Sequence, residues 1–147
     1  MKLYIMRHGH ADPLPDAQGH RHLTSQGRAE LEQLALFLRE KQFSVSQVKH
    51  SEKTRARETA EIIGAGFCLE QSDLLNPEAN LDALIMQLEQ EREDILLVSH
   101  MPLVSELVSQ LVTKNSHCDL IAFSPGTVVC LEKYNERWLI DWVLRPL

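Results

Sequence analysis

Two histidines stand directly after runs of apolar residues, and an arginine accompanies the first of them. Arg7-His8-Gly9 follows the apolar residues 3–6, and Ser99-His100 follows the apolar residues 95–98. An unprotonated imidazole nitrogen is a nucleophile, and arginine binds phosphate oxygens through two parallel N–H groups. Both residue types at the ends of strand-like segments indicate chemistry on a phosphate group.

The elements that must position these residues alternate between strands and helices. Strands are predicted at residues 3–6, 42–49, 67–69 and 95–98, and helices around residues 31–38, 51–63, 81–88 and 103–112. Thr24 and Ser51 are typical helix N-caps, and residues 127–131 and 138–143 are expected to form a C-terminal β-hairpin. The alternation predicts an α/β fold, a three-layer α/β/α sandwich with a mostly parallel central sheet.

Three strand ends are expected to bring cations and imidazoles to one edge of this sheet. Ligands of parallel α/β sheets bind at the carboxyl ends of the strands, where Arg7, His8 and His100 are placed. Ser51 and Arg55 follow the second predicted strand. The helix N-termini at this edge add N–H donors and partial positive charge. We therefore expect an anion site suited to phosphate.

Composition narrows the classes of partner and compartment. The chain has 147 residues, about one domain, and a formal net charge of -6 without a run of Lys or Arg. Such a chain is a poor candidate for binding nucleic acid or an anionic membrane. No segment has the length of a signal-peptide core or a membrane span. Cys68, Cys118 and Cys130 are scattered, so we expect buried free thiols and a cytoplasmic location.

Four segments occur in the order of the motifs of a known superfamily. RHG at residues 7–9 resembles its signature, and RHLTSQG at residues 21–27 resembles its R-x-L-T-x-x-G segment. SEKTRARET at residues 51–59 resembles its S-x-x-x-R-A-x-x-T segment, and VSHMP at residues 98–102 resembles its V-S-H-x-P motif. From the first strand into the last long helix, the chain resembles the histidine phosphatase (phosphoglycerate mutase-like) superfamily.

The resemblance implies a role for each residue of the predicted site. His8 is the expected nucleophile, and the nearby Arg7 and Arg55 should keep it neutral and hold phosphate oxygens. His100 would stabilise charge in the transition state. The expected substrate-binding residues are Gly9, where a missing Cβ lets the backbone approach a ligand, Arg21 at the pocket rim, Ser51 at the pocket floor, and Met101. Such phosphoryl transfer needs positioning and electrostatics but no metal or other cofactor, and water would hydrolyse a covalent phosphohistidine intermediate on His8.

The spacing of the motifs points to one group within the superfamily. Forty residues separate Thr59 from His100, and a helix and a strand occupy most of them, which leaves no room for the long cap insertions of mutase-type members. The chain resembles the compact SixA-type phosphohistidine phosphatases, which act on phosphorylated histidines of phosphorelay proteins. We therefore expect a single domain over residues 1–147, monomeric and uncapped, with a histidine-phosphorylated protein as its substrate. Glu78 is the nearest candidate for a general acid, although its surroundings match the family poorly.

Three other functions fit parts of the pattern. The same chemistry could act on a small-molecule phosphate ester, or the chain could bind phosphohistidine without hydrolysing it. A metal hydrolase is the third, with the loop side chains His10, Asp12, His20 and His22 as ligands. Arg55 has a simpler alternative as well, an ion pair with Glu52 or Glu58 on a helix surface.

Overall fold

A six-stranded mixed sheet forms the centre of the computed structural model, which describes residues 1–146. The strands are β1 (Lys2–Arg7), β2 (Gln47–His50), β3 (Leu69–Gln71), β4 (Ile95–Ser99), β5 (Val128–Tyr134) and β6 (Arg137–Leu144). The helices are α1 (Ser25–Glu40), α2 (Thr54–Ile63), α3 (Leu81–Glu89) and α4 (Leu103–Thr113), with a short 3-10 helix at Asp73–Leu75. The order across the sheet is β3-β2-β4-β1-β5-β6, in which the first four strands are parallel and β5 and β6 are antiparallel to their neighbours.

Different helix pairs cover the two faces of the sheet. In β1, Leu3 and Ile5 pack with α3 and α4, whereas Tyr4 and Met6 pack with α1 and α2, as the two-residue period of a strand requires. All five residues of β4 are buried, which explains its uninterrupted apolar run. The predicted three-layer sandwich, mostly parallel sheet and C-terminal hairpin are confirmed.

The two predicted N-caps have different outcomes. The Thr24 hydroxyl caps α1 by accepting a hydrogen bond from the Gly27 amide at 3.0 Å. The prediction for Ser51 is wrong, because α2 begins at Thr54 and its N-cap residue makes no side-chain hydrogen bond. The Ser51 hydroxyl lies 2.6 Å from the Nε2 atom of His100 instead, a contact between distant segments that local sequence does not reveal.

The second and third strands begin later than predicted. Residues 42–46 lie outside β2, although their apolar residues alternate with polar ones. The Phe43 ring packs edge-on against Tyr4 and Phe67, with centroid distances of 4.8 Å and 5.7 Å. The alternation in this segment therefore reflects the packing of a connection and not a strand.

Two predictions made from composition can be compared with the structure. The three cysteines are free thiols, as predicted, but only Cys130 is buried; Cys118 is half-buried and Cys68 is exposed. The expected burial is thus wrong for two of them. Within residues 1–146, no helix combines the length and the apolar character that crossing a bilayer requires.

The register of the parallel strands brings three strand ends to one edge of the sheet. Arg7 of β1 pairs with Ser99 of β4, and His50 of β2 pairs with Val98 of β4. The residues that follow these strands therefore emerge side by side at the edge where α/β sheets bind ligands.

Candidate active site

The two predicted site histidines face each other at the carboxyl edge of the sheet. The His8 N–H donates to the Ser99 carbonyl at 3.0 Å, and the His8 carbonyl accepts from the Gly126 N–H at 2.9 Å. These bonds fix the backbone after β1 beside the end of β4. The rings of His8 and His100 have centroids 5.1 Å apart, and the two residues are only 7% and 3% exposed.

The hydrogen bonding of His8 selects one tautomer of the ring. Its Nδ1 atom lies 2.8 Å from the Gly9 carbonyl oxygen. A carbonyl can only accept, so Nδ1 carries the proton and the lone pair of the neutral ring is on Nε2. Burial is the main cause that lowers the pKa of His8 to about 4, and the charges of Arg55, Arg7 and Arg21 lower it further. His8 is therefore neutral near pH 7, with an unprotonated Nε2.

His100 is also held neutral, and a buried serine fixes its ring. The His100 Nε2 atom lies 2.6 Å from the Ser51 hydroxyl, and Ser51 has no exposed surface. Burial, followed by the charges of His8 and Arg55, lowers the pKa of His100 to about 3. Ser51 thus contacts the second histidine from a fully buried position.

Three arginines surround the histidines without carboxylate partners. Among residues 1–146, no ion pair involves Arg7, Arg21 or Arg55, so the surface pairing considered for Arg55 does not occur. Arg7 Nη1 donates to the Phe123 carbonyl at 2.7 Å, and Arg21 Nε donates to the Asp12 carbonyl at 2.9 Å. Burial and the charge of Arg21 lower the pKa of both Arg7 and Arg55. Positive charge is concentrated here although the whole chain is acidic.

Three buried side-chain nitrogens in residues 1–146 have no hydrogen-bond partner in the protein. They are Arg7 Nε, Arg55 Nε and His100 Nδ1. Folded proteins pair nearly all of their buried polar groups, and all three exceptions belong to the predicted site. The oxygens of a bound phosphate would be suitable acceptors for such donors.

Two neighbouring residues of α2 tie the site together, and the sequence reasoning assigned neither of them a role here. The Thr59 hydroxyl accepts from the Gly9 N–H at 3.0 Å and donates to the Arg55 carbonyl at 2.7 Å. The Glu58 carboxylate accepts from the Leu23 N–H at 2.9 Å. Thr59 is the last residue of the third motif. The presence of threonine at that motif position is the sequence feature from which a role in the site could have been predicted.

Two predicted substrate-binding residues differ in burial: Gly9 is buried and Met101 is exposed. A Cβ atom on Gly9 would lie 2.7 Å from Leu31 Cδ1. A larger residue here would force the Leu31 side chain of α1 to shift, so close packing is a second reason for glycine at this position. Met101 is 41% exposed directly after His100, which leaves its side chain at the rim of the site.

Two of the four loop side chains considered as metal ligands, His10 and His22, are engaged elsewhere. Within residues 1–146, no three His, Cys, Asp or Glu side chains form a group that could hold a metal ion. His10 Nδ1 lies 2.7 Å from the Thr24 hydroxyl, and His22 lies between Asp16 and Glu58. This geometry does not favour a metal centre made of these residues.

Glu78 lies at a small cavity beside the histidines. The cavity has a volume of about 230 Å³ and is lined by Glu78, Lys53 and their neighbours. The Lys53 N–H donates to the Ser51 hydroxyl at 3.3 Å, and Ser51 contacts His100, so this cavity borders the site. A separate cavity of about 920 Å³, lined by Met1 and Trp138, contains none of the predicted site residues.

Known proteins share the sequence and the fold of this chain. The family model of the histidine phosphatase superfamily (branch 1) matches residues 3–76, a segment that contains three of the four motifs. A phosphohistidine phosphatase SixA homolog of Haemophilus influenzae is 29% identical over 146 residues, which cover 89% of this chain and 87% of the relative. Phosphohistidine phosphatase SixA of Escherichia coli K12 is 31% identical over 119 residues, which cover 76% of this chain and 74% of the relative.

One solved structure has the same fold as this chain. The protein histidine phosphatase SixA complexed with tungstate has a TM-score of 0.85 and 24% identity, covering 99% of this chain and 97% of the other. Its likeness extends over the whole sandwich and shows that the folds are the same. Because the four motifs occur in order, the family model matches residues 3–76 and two relatives align with most of the chain, the chain belongs to the histidine phosphatase superfamily.

Proposed function

We propose that this phosphatase removes phosphate from histidine-phosphorylated proteins, with His8 as its nucleophile. The names of both sequence relatives support the phosphohistidine substrate. The observation that carries the catalytic assignment is the set of three unpartnered buried nitrogens on Arg7, Arg55 and His100. They surround an imidazole whose Nε2 is unprotonated.

In the first step, the Nε2 lone pair of His8 attacks the phosphorus atom. The bond between phosphorus and the substrate nitrogen breaks, and its electron pair stays on the departing imidazole. His8 then carries phosphate on Nε2 and a proton on Nδ1, so its ring is cationic. The Gly9 carbonyl, 2.8 Å from Nδ1, stabilises that cation.

The surrounding cations stabilise the charge on the transferring group. Arg7 and Arg55 bind the equatorial oxygens through their free N–H groups. We assign the Ser51 hydroxyl as the donor to His100 Nε2, because the proton of the neutral ring is then on Nδ1 and available to a phosphate oxygen. A bound dianion also raises the pKa of His100 from its low value and favours its protonation.

In the second step, water attacks phosphorus and displaces His8. The phosphorus–Nε2 bond breaks, its electron pair returns to the imidazole, and inorganic phosphate and a proton are released. Positioning and charge suffice for both steps, so the proposal needs no metal.

Two features support a phosphohistidine rather than an ordinary ester. A phosphohistidine that is protonated on its other ring nitrogen leaves as neutral imidazole, whereas an alkoxide needs a general acid. Glu78, the candidate acid, is exposed and makes no side-chain hydrogen bond within residues 1–146. Between α2 and β4 the chain holds only β3, the 3-10 helix, α3 and their connections, which supports one uncapped domain open to a protein substrate.

Three free thiols support a cytoplasmic location.

The test is phosphate release from a histidine-phosphorylated phosphotransfer domain. The wild type, His8→Asn and His117→Asn are compared, because Asn can still donate to the Gly9 carbonyl and His117 is an exposed histidine outside the site. We expect release by the wild type and the His117 variant, and loss of at least about a thousandfold in His8→Asn. A labelled phosphoenzyme that is labile in acid and stable in base should form only when His8 is present.

The substrate assignment is tested separately from the nucleophile. Phosphoserine peptides and small phosphate esters are assayed beside the phosphohistidine protein. Faster turnover of an ester would overturn the substrate and leave the covalent mechanism in place. Full activity of His8→Asn would overturn the mechanism.

A further inference from the structure

His22 stands next to Arg21 and has a carboxylate on each ring nitrogen. Its Nε2 atom lies 2.8 Å from Asp16 Oδ2, and its Nδ1 atom lies 3.0 Å from Glu58 Oε2. Asp16 belongs to the same loop, whereas Glu58 belongs to α2. His22 therefore joins the loop that carries Arg21 to the helix that carries Arg55.

These two contacts require two N–H donors. A neutral imidazole has one N–H and an imidazolium has two, so only the charged ring satisfies both carboxylates. The hydrogen bonds that His22 donates to Glu58 and Asp16 raise its pKa above the usual value. The other charged group facing this cluster is Arg28 of α1, whose Nη2 lies 2.6 Å from the same Glu58 oxygen.

The same carboxylates fix the backbone on both sides of Arg21. Asp16 accepts from the His20 N–H at 2.9 Å, and Glu58 accepts from the Leu23 N–H at 2.9 Å. Leu23, two residues after Arg21, packs against Gly9 of the site, and the Arg21 charge lowers the pKa of the site histidines and arginines. The Arg21 segment therefore borders the pocket. Losing one contact of His22 would loosen the support of that guanidinium.

We propose that His22 is a pH-sensitive positioning residue that holds Arg21 at the phosphate pocket when its ring is protonated. Deprotonation removes one of the two donated hydrogen bonds and the charge that both carboxylates share. Arg21 then gains freedom, and the pocket binds an oxyanion more weakly. The inference rests on the proposed function, because it takes Arg21 to be an anion-binding residue.

The direction follows from the raised pKa. Below that pKa the clamp made by His22, Asp16 and Glu58 is complete, and as the pH rises through it the clamp is lost. Because His22 is exposed, we expect oxyanion affinity to fall about two- to fivefold over this titration, the range that exposed ion pairs supply.

The experiment follows the clamp and the pocket in the full chain. Tungstate, whose charge is constant over the range, is titrated by calorimetry between about pH 6 and about pH 9, where a histidine with a raised pKa changes charge. Nitrogen-15 NMR reports the protonation of His22 and the Nε–H signal of Arg21. The variants are His22→Gln and, as the matched control, His20→Gln, since the exposed His20 ring makes no hydrogen bond within residues 1–146.

We expect the wild type and His20→Gln to lose affinity in step with the His22 titration, while the Arg21 Nε–H signal weakens. His22→Gln should bind at the weak, high-pH level throughout, with a flat profile. A His22→Gln profile parallel to the wild type would overturn the proposal. So would an Arg21 signal unchanged across the titration, because the His22 charge would then act on the anion directly.

Failure of the proposed function gives a different result. If no form of the protein binds tungstate at any pH, the anion pocket is refuted. The NMR titration still decides the clamp in that case, because coupling of the Arg21 signal to His22 does not depend on a ligand.

Discussion

The two site histidines should make the fold sensitive to acid. Burial lowers the pKa of His8 to about 4 and that of His100 to about 3, whereas an unfolded histidine titrates near 6.5. Between these values the unfolded chain binds more protons than the folded one. The stability that the neutral histidines contribute is therefore complete above about pH 6.5 and is lost as the pH falls toward 4.

The expected loss is a large part of the stability of an ordinary domain. At about pH 5, a pKa that moves from 6.5 to about 4 lowers the free energy of unfolding by about 2 kcal/mol. His100, with its lower pKa, contributes a similar amount. Both side chains are almost fully buried, so solvent screens the effect less than it would at an exposed site. Because the charge of His8 is itself one cause of the lowered pKa of His100, the two losses are not added. A loss of about 2 kcal/mol compares with a total of about 5–15 kcal/mol for a typical domain.

The assay is urea unfolding at about pH 8 and about pH 5, a pair of values that brackets the unfolded histidine pKa. His8→Asn removes one titrating group and keeps a donor for the Gly9 carbonyl, and the exposed His117→Asn serves as the matched control. We expect His8→Asn to lose about 2 kcal/mol less than the wild type between the two pH values. The control should lose as much as the wild type.

Equal losses in the wild type and His8→Asn would refute this reasoning. Such a result would mean that His8 is protonated in the folded protein at pH 5, and that burial does not hold its ring neutral. A proposed nucleophile that is charged under mildly acidic conditions would also be less available for attack on phosphorus.

Three further predictions concern the contacts around the pocket. Ser51→Ala removes the hydroxyl 2.6 Å from His100 Nε2, so kcat in steady-state kinetics should fall about tenfold. An unchanged kcat would contradict a positioning role for Ser51. Arg55→Lys should weaken tungstate binding at least about tenfold in calorimetry. The control Arg57→Lys alters an exposed ion pair with Glu61 and should change the affinity for tungstate less than about twofold. Thr59→Val leaves the Gly9 N–H without its hydrogen-bond acceptor, so the free energy of unfolding should fall by about 1–3 kcal/mol in a denaturant titration. A loss below the error of that titration would mean that water replaces the hydroxyl.

Local patterns were sufficient to predict the layers and most elements. The apolar stripe of α1 and the unbroken run of β4 report which faces are buried, because helices and strands repeat at different periods. Two predictions about the bounds of elements failed for the same reason. Phe43 resembled part of a strand and Ser51 resembled a helix cap, yet each is used in a contact with residues far along the chain.

The candidate site could be predicted in membership but not in detail. Three of the four motifs lie at or directly after strand ends, and parallel strands bring those ends together. The tautomer of His8 depends on a backbone carbonyl, and no sequence pattern marks that choice. Thr59 was visible as part of a motif, but its bond to Gly9 spans 50 residues.

By itself, the sequence of this protein determined the fold class, the superfamily and the residues that meet at the sheet edge. These depend on apolar periodicity and on short motifs, which are local properties of the chain. Only the tertiary structure decided the state of the site: a His8 ring with its proton on Nδ1, a His100 held by Ser51, and arginines without carboxylate partners. Burial and the pairing of charges depend on which distant segments pack together, and that is a property of the fold as a whole.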